Sequence, residues 1–211
     1  MKTIALFGAS GRTGQHFLNL ALSKGYKVKA LVRNIESISQ KKLNLELIKG
    51  DVLIFDDVLE TVKNCDIVVS LFGHVKDSPN WLQTDGTKNI IQAMNELNLD
   101  RIISLSGGAL PYPEKDKPKF ADIIIKTIMK IVVPKILNDA EKHYDALKNS
   151  KLKWTIVCAP RLTNDKKTGN YRIGWVGVNA STKIGRADFA AFLITQIEDE
   201  TYINQMPFIS N

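Results

Sequence analysis

Residues 4–14 read IALFGASGRTG, and three glycines, Gly8, Gly11 and Gly14, stand between an apolar, β-branched run and a helical stripe. The run at residues 3–7 stops at the first glycine, and Phe17, Leu18, Leu20, Ala21 and Leu22 recur at helical spacing after the third. A chain in this order must turn from strand into helix on glycine backbone. The first N–H groups of such a helix lack intrahelical partners and its dipole adds positive potential, so the turn is an anion site. Glycine lets the backbone approach a diphosphate closely and adopt positive φ. Ser10, Arg12 and Thr13 complete the phosphate-binding set this turn predicts. The spacing, G-x-x-G-x-x-G, differs from the G-x-G-x-x-G form of many dinucleotide-binding turns.

The same alternation continues downstream. Residues 27–34, 45–52, 66–73, 101–108 and 153–160 read as strands, and residues 35–42, 55–65 and 80–99 as helices. Strands alternating with helices predict an α/β fold: a doubly wound, parallel, Rossmann-like sheet with strand order 3-2-1-4-5 at least. A Pro-rich loop follows at 109–120, then a helical stretch to about 149 interrupted at Pro134. A further strand is expected at 171–178, a helix at 186–199 and a last short strand at 205–210. With 211 residues and no linker, one domain over 1–211 with a small C-terminal cap is expected. Within it, residues 111–150 are read as a lid and 160–185 as a substrate-side loop. The ligand of such a sheet lies across the carboxyl ends of the strands, between the first and the fourth.

Composition narrows the remaining classes. Hydrophobic content of 44% and charged content of 24% belong to an ordinary globular chain. The opening apolar run is short and flows into the glycine turn, so it reads as a strand and not a secretory signal, which predicts a cytoplasmic protein. The apolar segment FADIIIKTIMKIVVPKIL is interrupted by Lys126, Lys130, Pro134 and Lys135, too soon for a membrane span. Cys65 and Cys158 lack CxxC spacing, so buried thiols are expected, with no disulfide and no metal site. The net charge is +7, yet the lysines, Lys41 and Lys42 among them, are spread along helices and loops without an aromatic-rich basic motif. Nucleic acid is not an expected partner.

The second strand ends Leu31-Val32-Arg33-Asn34, where a protein specific for NAD places Asp or Glu on the ribose 2′-hydroxyl. Arg33, with Arg12 nearby, would instead pair with a 2′-phosphate, favouring NADP(H) over NAD(H).

Several stretches together carry a family resemblance: GASGRTG at 8–14, LVRN at 31–34, GDV at 50–52, VVSLFG at 68–73, IISLSG at 102–107, WTIVCAPRLTN at 154–164 and RADFAAFLITQIED at 186–199. The chain resembles an atypical short-chain dehydrogenase/reductase of the NAD(P)H-binding, NmrA-like group, which includes the flavin reductase/biliverdin reductase B type. The resemblance implies that Asp51 and Val52 meet the adenine and that Leu71, Phe72 and Gly73 lie along the diphosphate and ribose. Ser104 is taken as a further cofactor contact, with Ser106, Pro160 and Arg161 flanking the nicotinamide. Ser106, Arg161, Tyr112 and His74 are the catalytic candidates. The pair Tyr144 and Lys148 has the spacing of a dehydrogenase Tyr-Lys dyad but lies out of register, too near Trp154. Ala140 and Arg161 stand where the flavin and biliverdin reductases place pocket histidines. The resemblance implies an NADPH-dependent oxidoreductase reducing a flavin, a quinone or a small carbonyl, with a non-catalytic NADP(H) sensor as the alternative. A flat aromatic small molecule is the expected partner, without a membrane, and the protein is expected to be a monomer or homodimer.

Overall fold

Eight strands form one sheet in the order β3-β2-β1-β4-β5-β6-β10-β8. The computed structural model describes residues 1–40 and 42–211. In chain order the elements of its first half are β1 (Thr3–Phe7), α1 (Arg12–Ser23), β2 (Lys27–Val32), β3 (Leu45–Lys49), α2 (Phe55–Val62), β4 (Ile67–Ser70), α3 (Leu82–Glu96) and β5 (Arg101–Gly107). The second half holds α4 (Phe120–Val132), α5 (Pro134–Lys148), β6 (Lys153–Ala159), β7 (Arg161–Thr163), β8 (Arg172–Gly174), β9 (Lys183–Gly185), α6 (Arg186–Thr195) and β10 (Phe208–Ser210). Every pairing in the large sheet is parallel except β10 with β8. The α/β, doubly wound reading is therefore what the chain adopts, and β6, β10 and β8 extend the expected order.

Helices cover both faces, as a parallel sheet requires. Phe17 and Leu18 of α1 and Phe189 and Phe192 of α6 pack on one face, while Val58 of α2, Ile90 and Met94 of α3 and Leu147 of α5 pack on the other. Two short strands were not read from the sequence: β7 and β9 pair in parallel as a separate two-stranded sheet. Three-residue strands are too short to show a period, and only their pairing reveals them. The helix expected at 35–42 is a single 3-10 turn at Ile35–Ser37, begun by the Asn34 side chain accepting from the Glu36 amide at 3.0 Å; Lys41 lies outside the described residues. Cys65 is half-buried and Cys158 buried, and both are free thiols.

Within the segment 111–150 the two helices are buried differently. Leu137, Ala140 and Leu147 bury α5 against the sheet and α3, whereas no residue of α4 is buried. Two polar residues on the inner stripe of α5 join it to its neighbours. Asp139, fully buried, accepts from the Gln83 amide at 2.8 Å and the Thr84 amide at 2.9 Å, so a side chain of α5 caps the start of α3. One turn later, His143 lies between Thr87 Oγ1 at 2.9 Å and Ser104 Oγ at 3.1 Å. Burial pulls its pKa down to about 4, with Asp139 pushing the other way.

The unfolded chain therefore protonates this histidine first as pH falls, because a free histidine titrates near 6.5. Stability is expected to drop between about pH 6.5 and 4, with this residue contributing up to about 3 kcal/mol of the loss. Urea titrations across that window check this. The His143→Gln variant, less stable at neutral pH, should lose less stability on acidification than the parent.

Candidate functional site

At the carboxyl end of β1, backbone packs directly on backbone. Gly8 has φ of +85°, and a Cβ built on it would stand 2.5 Å from the Phe72 amide nitrogen. A Cβ on Gly14 would stand 2.0 Å from the Gly8 carbonyl oxygen. The fold itself demands these two glycines. Gly11 differs: it precedes α1 in an extended conformation, and only the Gly8 oxygen, at 3.2 Å, lies within 4 Å of its would-be Cβ. No side chain caps α1, and the N–H groups of Arg12, Thr13 and Gly14 have no acceptor among the described residues. Ser10 is exposed beside them. These donors converge where the helix dipole is positive, the arrangement that holds a diphosphate.

The bare backbone continues along the sheet. A Cβ on Gly73, after β4, or on Gly107, at the end of β5, would have nothing within 4 Å. Gly73 follows β4, the neighbour of β1 where the strand order reverses, and Gly107 ends the next strand, opposite Ala159 of β6. Leu71 is buried and donates its amide to the Phe7 carbonyl at 2.8 Å. Phe72 and Val52 meet over Gly86 of α3, whose would-be Cβ lies 2.8 Å from the Phe72 ring and 3.0 Å from Val52. Asp51 turns its Oδ1 to the Leu53 amide at 3.0 Å, closing the loop after β3. Val52, Phe72 and Asp51 thus form one wall of the cleft.

Two arginines stand close together at the start of α1, and a third follows β2. Arg12 opens α1 and is exposed; Arg33 is exposed two residues after Leu31, the register partner of Phe7. Sequence reasoning missed Arg186, which opens α6, is 8% exposed and donates to Asn164 Oδ1 at 2.7 Å. Burial first, and the nearby charge of Arg12 second, hold its pKa below the usual arginine range. Among the described residues none of the three has a carboxylate within ion-pair distance. Cations packed beside one another without an acid are a receptor for an anion. Asp188, also unread from the sequence, is fully buried and accepts from the amides of Thr168 at 3.1 Å and Gly169 at 2.8 Å, pinning the loop before β8 to α6. The signal for both was present in RADFAAF, two charges at the head of an apolar helix.

Farther along the carboxyl ends lie Ser106, Pro160 and Arg161. Ser106 is 3% exposed, and its hydroxyl is a buried polar atom without a partner. Pro160 follows β6, and Arg161 is exposed at the start of β7. Ser104 is turned into the core, where His143 takes its hydroxyl, and is not a cleft residue. His74 is not a free loop histidine either: its Nε2 lies 2.7 Å from Asp139 Oδ2, so it tethers the loop after β4 to α5. Tyr112 faces elsewhere. With Glu114, Tyr144, Lys148 and Trp154 it lines a shallow cavity of about 420 Å³ where α5 ends and β6 begins. Burial and then the Glu114 charge lift its phenol to about 12. Tyr144 sits in the same place, its ring edge-on to Trp154 at 5.8 Å. Among the described residues no three His, Cys, Asp or Glu gather as a metal site, and no helix is long and apolar enough to cross a membrane.

The comparisons with known proteins agree with this geometry. The chain is 25% identical over 209 residues to the uncharacterized protein YwnB of Bacillus subtilis, covering 96% of this chain and 95% of that one. In fold it is similar to the oxidoreductase ylbE of Lactococcus lactis, with a TM-score of 0.82 and 21% identity, covering 100% of this chain and 91% of that one. A short-chain dehydrogenase/reductase of Veillonella parvula, solved in complex with NADP, superposes with a TM-score of 0.79 at 18% identity, covering 100% of this chain and 94% of that one. Residues 8–200 match the model of a family described as NAD(P)H-binding. That match begins at the first glycine of the turn and runs past α6, so the chain belongs to this NAD(P)H-binding family.

Proposed function

We propose that this protein is an NADPH-dependent reductase, of the atypical short-chain dehydrogenase/reductase kind, acting on a flat conjugated acceptor such as a flavin or quinone. The observation that carries it is the acid-free pair of neighbouring arginines, Arg12 and Arg186, at the uncapped start of α1, with Arg33 exposed just after the neighbouring strand β2. A dinucleotide with a third phosphate meets that demand better than one without. The bound NADP of the Veillonella parvula structure supports the same choice.

When bound, a reduced nicotinamide would supply a hydride to the acceptor. The chain's own residues do the rest. The free N–H groups of α1 hold the diphosphate, and Val52 and Phe72 enclose the adenine end. Ser106, whose hydroxyl is buried without a partner near the end of β5, would lie beneath the nicotinamide end. Arg161, exposed at the rim, attracts an acceptor bearing negative charge. His74 is engaged with Asp139 and Ser104 with His143, so protons reach the product from solvent. This suits flavins and quinones, which accept a hydride without a positioned acid, more than it suits simple aldehydes.

Calorimetry and rates test this. NADPH should bind more tightly than NADH, and Arg33→Ala should weaken NADPH by about tenfold or more while leaving NADH nearly unchanged, since a charge-assisted bond contributes roughly 1.5–3 kcal/mol. Equal affinities in the parent protein would overturn the preference. Gly11→Val should remove dinucleotide binding while leaving the circular dichroism close to that of the parent, because its Cβ presses on the Gly8 carbonyl oxygen alone, at 3.2 Å, whereas Gly14→Ala should disrupt the fold by driving a methyl to 2.0 Å from that oxygen. NADPH oxidation with riboflavin, FMN, quinones and aldehydes then decides the chemistry. Turnover on flavins or quinones is expected, and tight NADPH binding without turnover on any acceptor would instead make the protein a sensor.

A further inference from the structure

The helix α4 is inside out. At 100° per residue Phe120, Ile124, Ile125, Ile128, Ile131 and Val132 share one face, and that face is turned to solvent. Phe120 is 79% exposed, Ile131 76% and Val132 68%. The half-buried residues of the helix are instead Asp122 and Lys126, on the opposite side. A soluble helix ordinarily packs its apolar stripe inward, and a contiguous exposed stripe of this length marks an interaction surface.

The charges around it say what the surface meets. Lys117, Lys119, Lys130 and Lys135 flank the stripe, are exposed, and form no ion pair among the described residues. The acids of the same segment are engaged within the protein. Asp116 accepts from the amides of Tyr112 at 2.7 Å and Val176 at 3.1 Å, Asp122 accepts from the Lys119 amide at 2.8 Å, and Glu114 lies 4.0 Å from Lys148. The outward surface is therefore apolar and cationic together. A second copy of the chain, meeting this face by two-fold symmetry, would bring lysines against lysines with no free acid between them. A surface that is apolar inside and anionic at its border answers both features. At 1.5 Å per residue the helix is about 20 Å long, short of the roughly 30 Å of a bilayer core, so it would lie in the interface plane and not cross.

We propose that α4 docks the protein reversibly on the surface of an anionic lipid bilayer, burying Ile124, Ile128 and Ile131 among the acyl chains while the flanking lysines meet the headgroups. This goes beyond the absence of a membrane partner expected from the sequence, which weighed only a span, and it does not rest on the reductase reading.

Co-sedimentation of the full chain with vesicles of phosphatidylcholine, alone or mixed with phosphatidylglycerol, tests it. Binding to the mixed vesicles is expected, weakening as salt shortens the screening length to about 10 Å at 0.1 M. The double variant Ile124→Glu/Ile128→Glu should lose at least about tenfold in binding while keeping its thermal midpoint, both positions being exposed. The variant with Lys119, Lys130 and Lys135 changed to Ser should lose on the order of a hundredfold on mixed vesicles, at roughly fivefold per lysine. Absence of vesicle binding by the parent chain overturns the proposal, and a dimer seen by sedimentation that Ile124→Glu/Ile128→Glu dissociates would then name a second copy as the occupant. Vesicle binding that survives both variants overturns it as well, by placing the contact elsewhere.

Discussion

Everything in the cleft depends on the contact between the Gly8 carbonyl and the Cα of Gly14, with the loop after β4 resting on the other side of Gly8. A methyl at either glycine would enter van der Waals radii of main-chain atoms, which cannot rotate away. This closeness sets the angle at which α1 leaves β1 and brings Leu71 and Phe72 alongside the turn. Gly11 sits between the two structural glycines but serves neither contact. A Cβ there would meet only the Gly8 oxygen, at 3.2 Å, and the N–H groups of Arg12, Thr13 and Gly14 have no acceptor among the described residues.

A single carboxylate holds the far wall. Asp139 takes two amides at the start of α3 and the imidazole of His74, so α3, α5 and the loop after β4 meet at one buried charge. The two amides contribute the positive end of the α3 dipole, which makes a buried carboxylate tolerable there. Losing it would leave donors unsatisfied on two elements at once. Asp188 does the same on the opposite flank by fastening Thr168 and Gly169 to α6. Both carboxylates act as rivets that position loops, and neither stands among the groups that line the cleft.

Positive charge is kept unanswered in two places, for two different reasons. Around α1 the arginines have no carboxylate within ion-pair distance among the described residues, and Arg186 is buried near Arg12 despite their like charge. Along α4 the lysines border an apolar stripe while the nearby carboxylates are bonded inward. In each case like charges gather without a paired acid among the described residues, which is the electrostatic basis of the two proposals, a compact phosphate at the arginines and an anionic headgroup surface at α4.

The doubly wound sheet, its strand order through the fifth strand and the anion-binding turn were legible in the sequence, because period, glycine spacing and strand–helix alternation are local properties. Val52 and Phe72 follow the carboxyl ends of β3 and β4 and pack over Gly86, and Ser106 lies near the end of β5. What the sequence could not show is which polar group finds which partner across the fold. Ser104 and Ser106 look alike on one strand, yet His143 reaches only the first and leaves the other hydroxyl buried without a partner. His74 and Tyr112 read equally well as cleft residues, and packing from α5 claims one while the start of β6 claims the other. The apolar stripe of α4 was visible from residue 120 onward, but its direction was not, since periodicity tells which residues share a face and only tertiary packing decides whether that face turns to the core or to the outside.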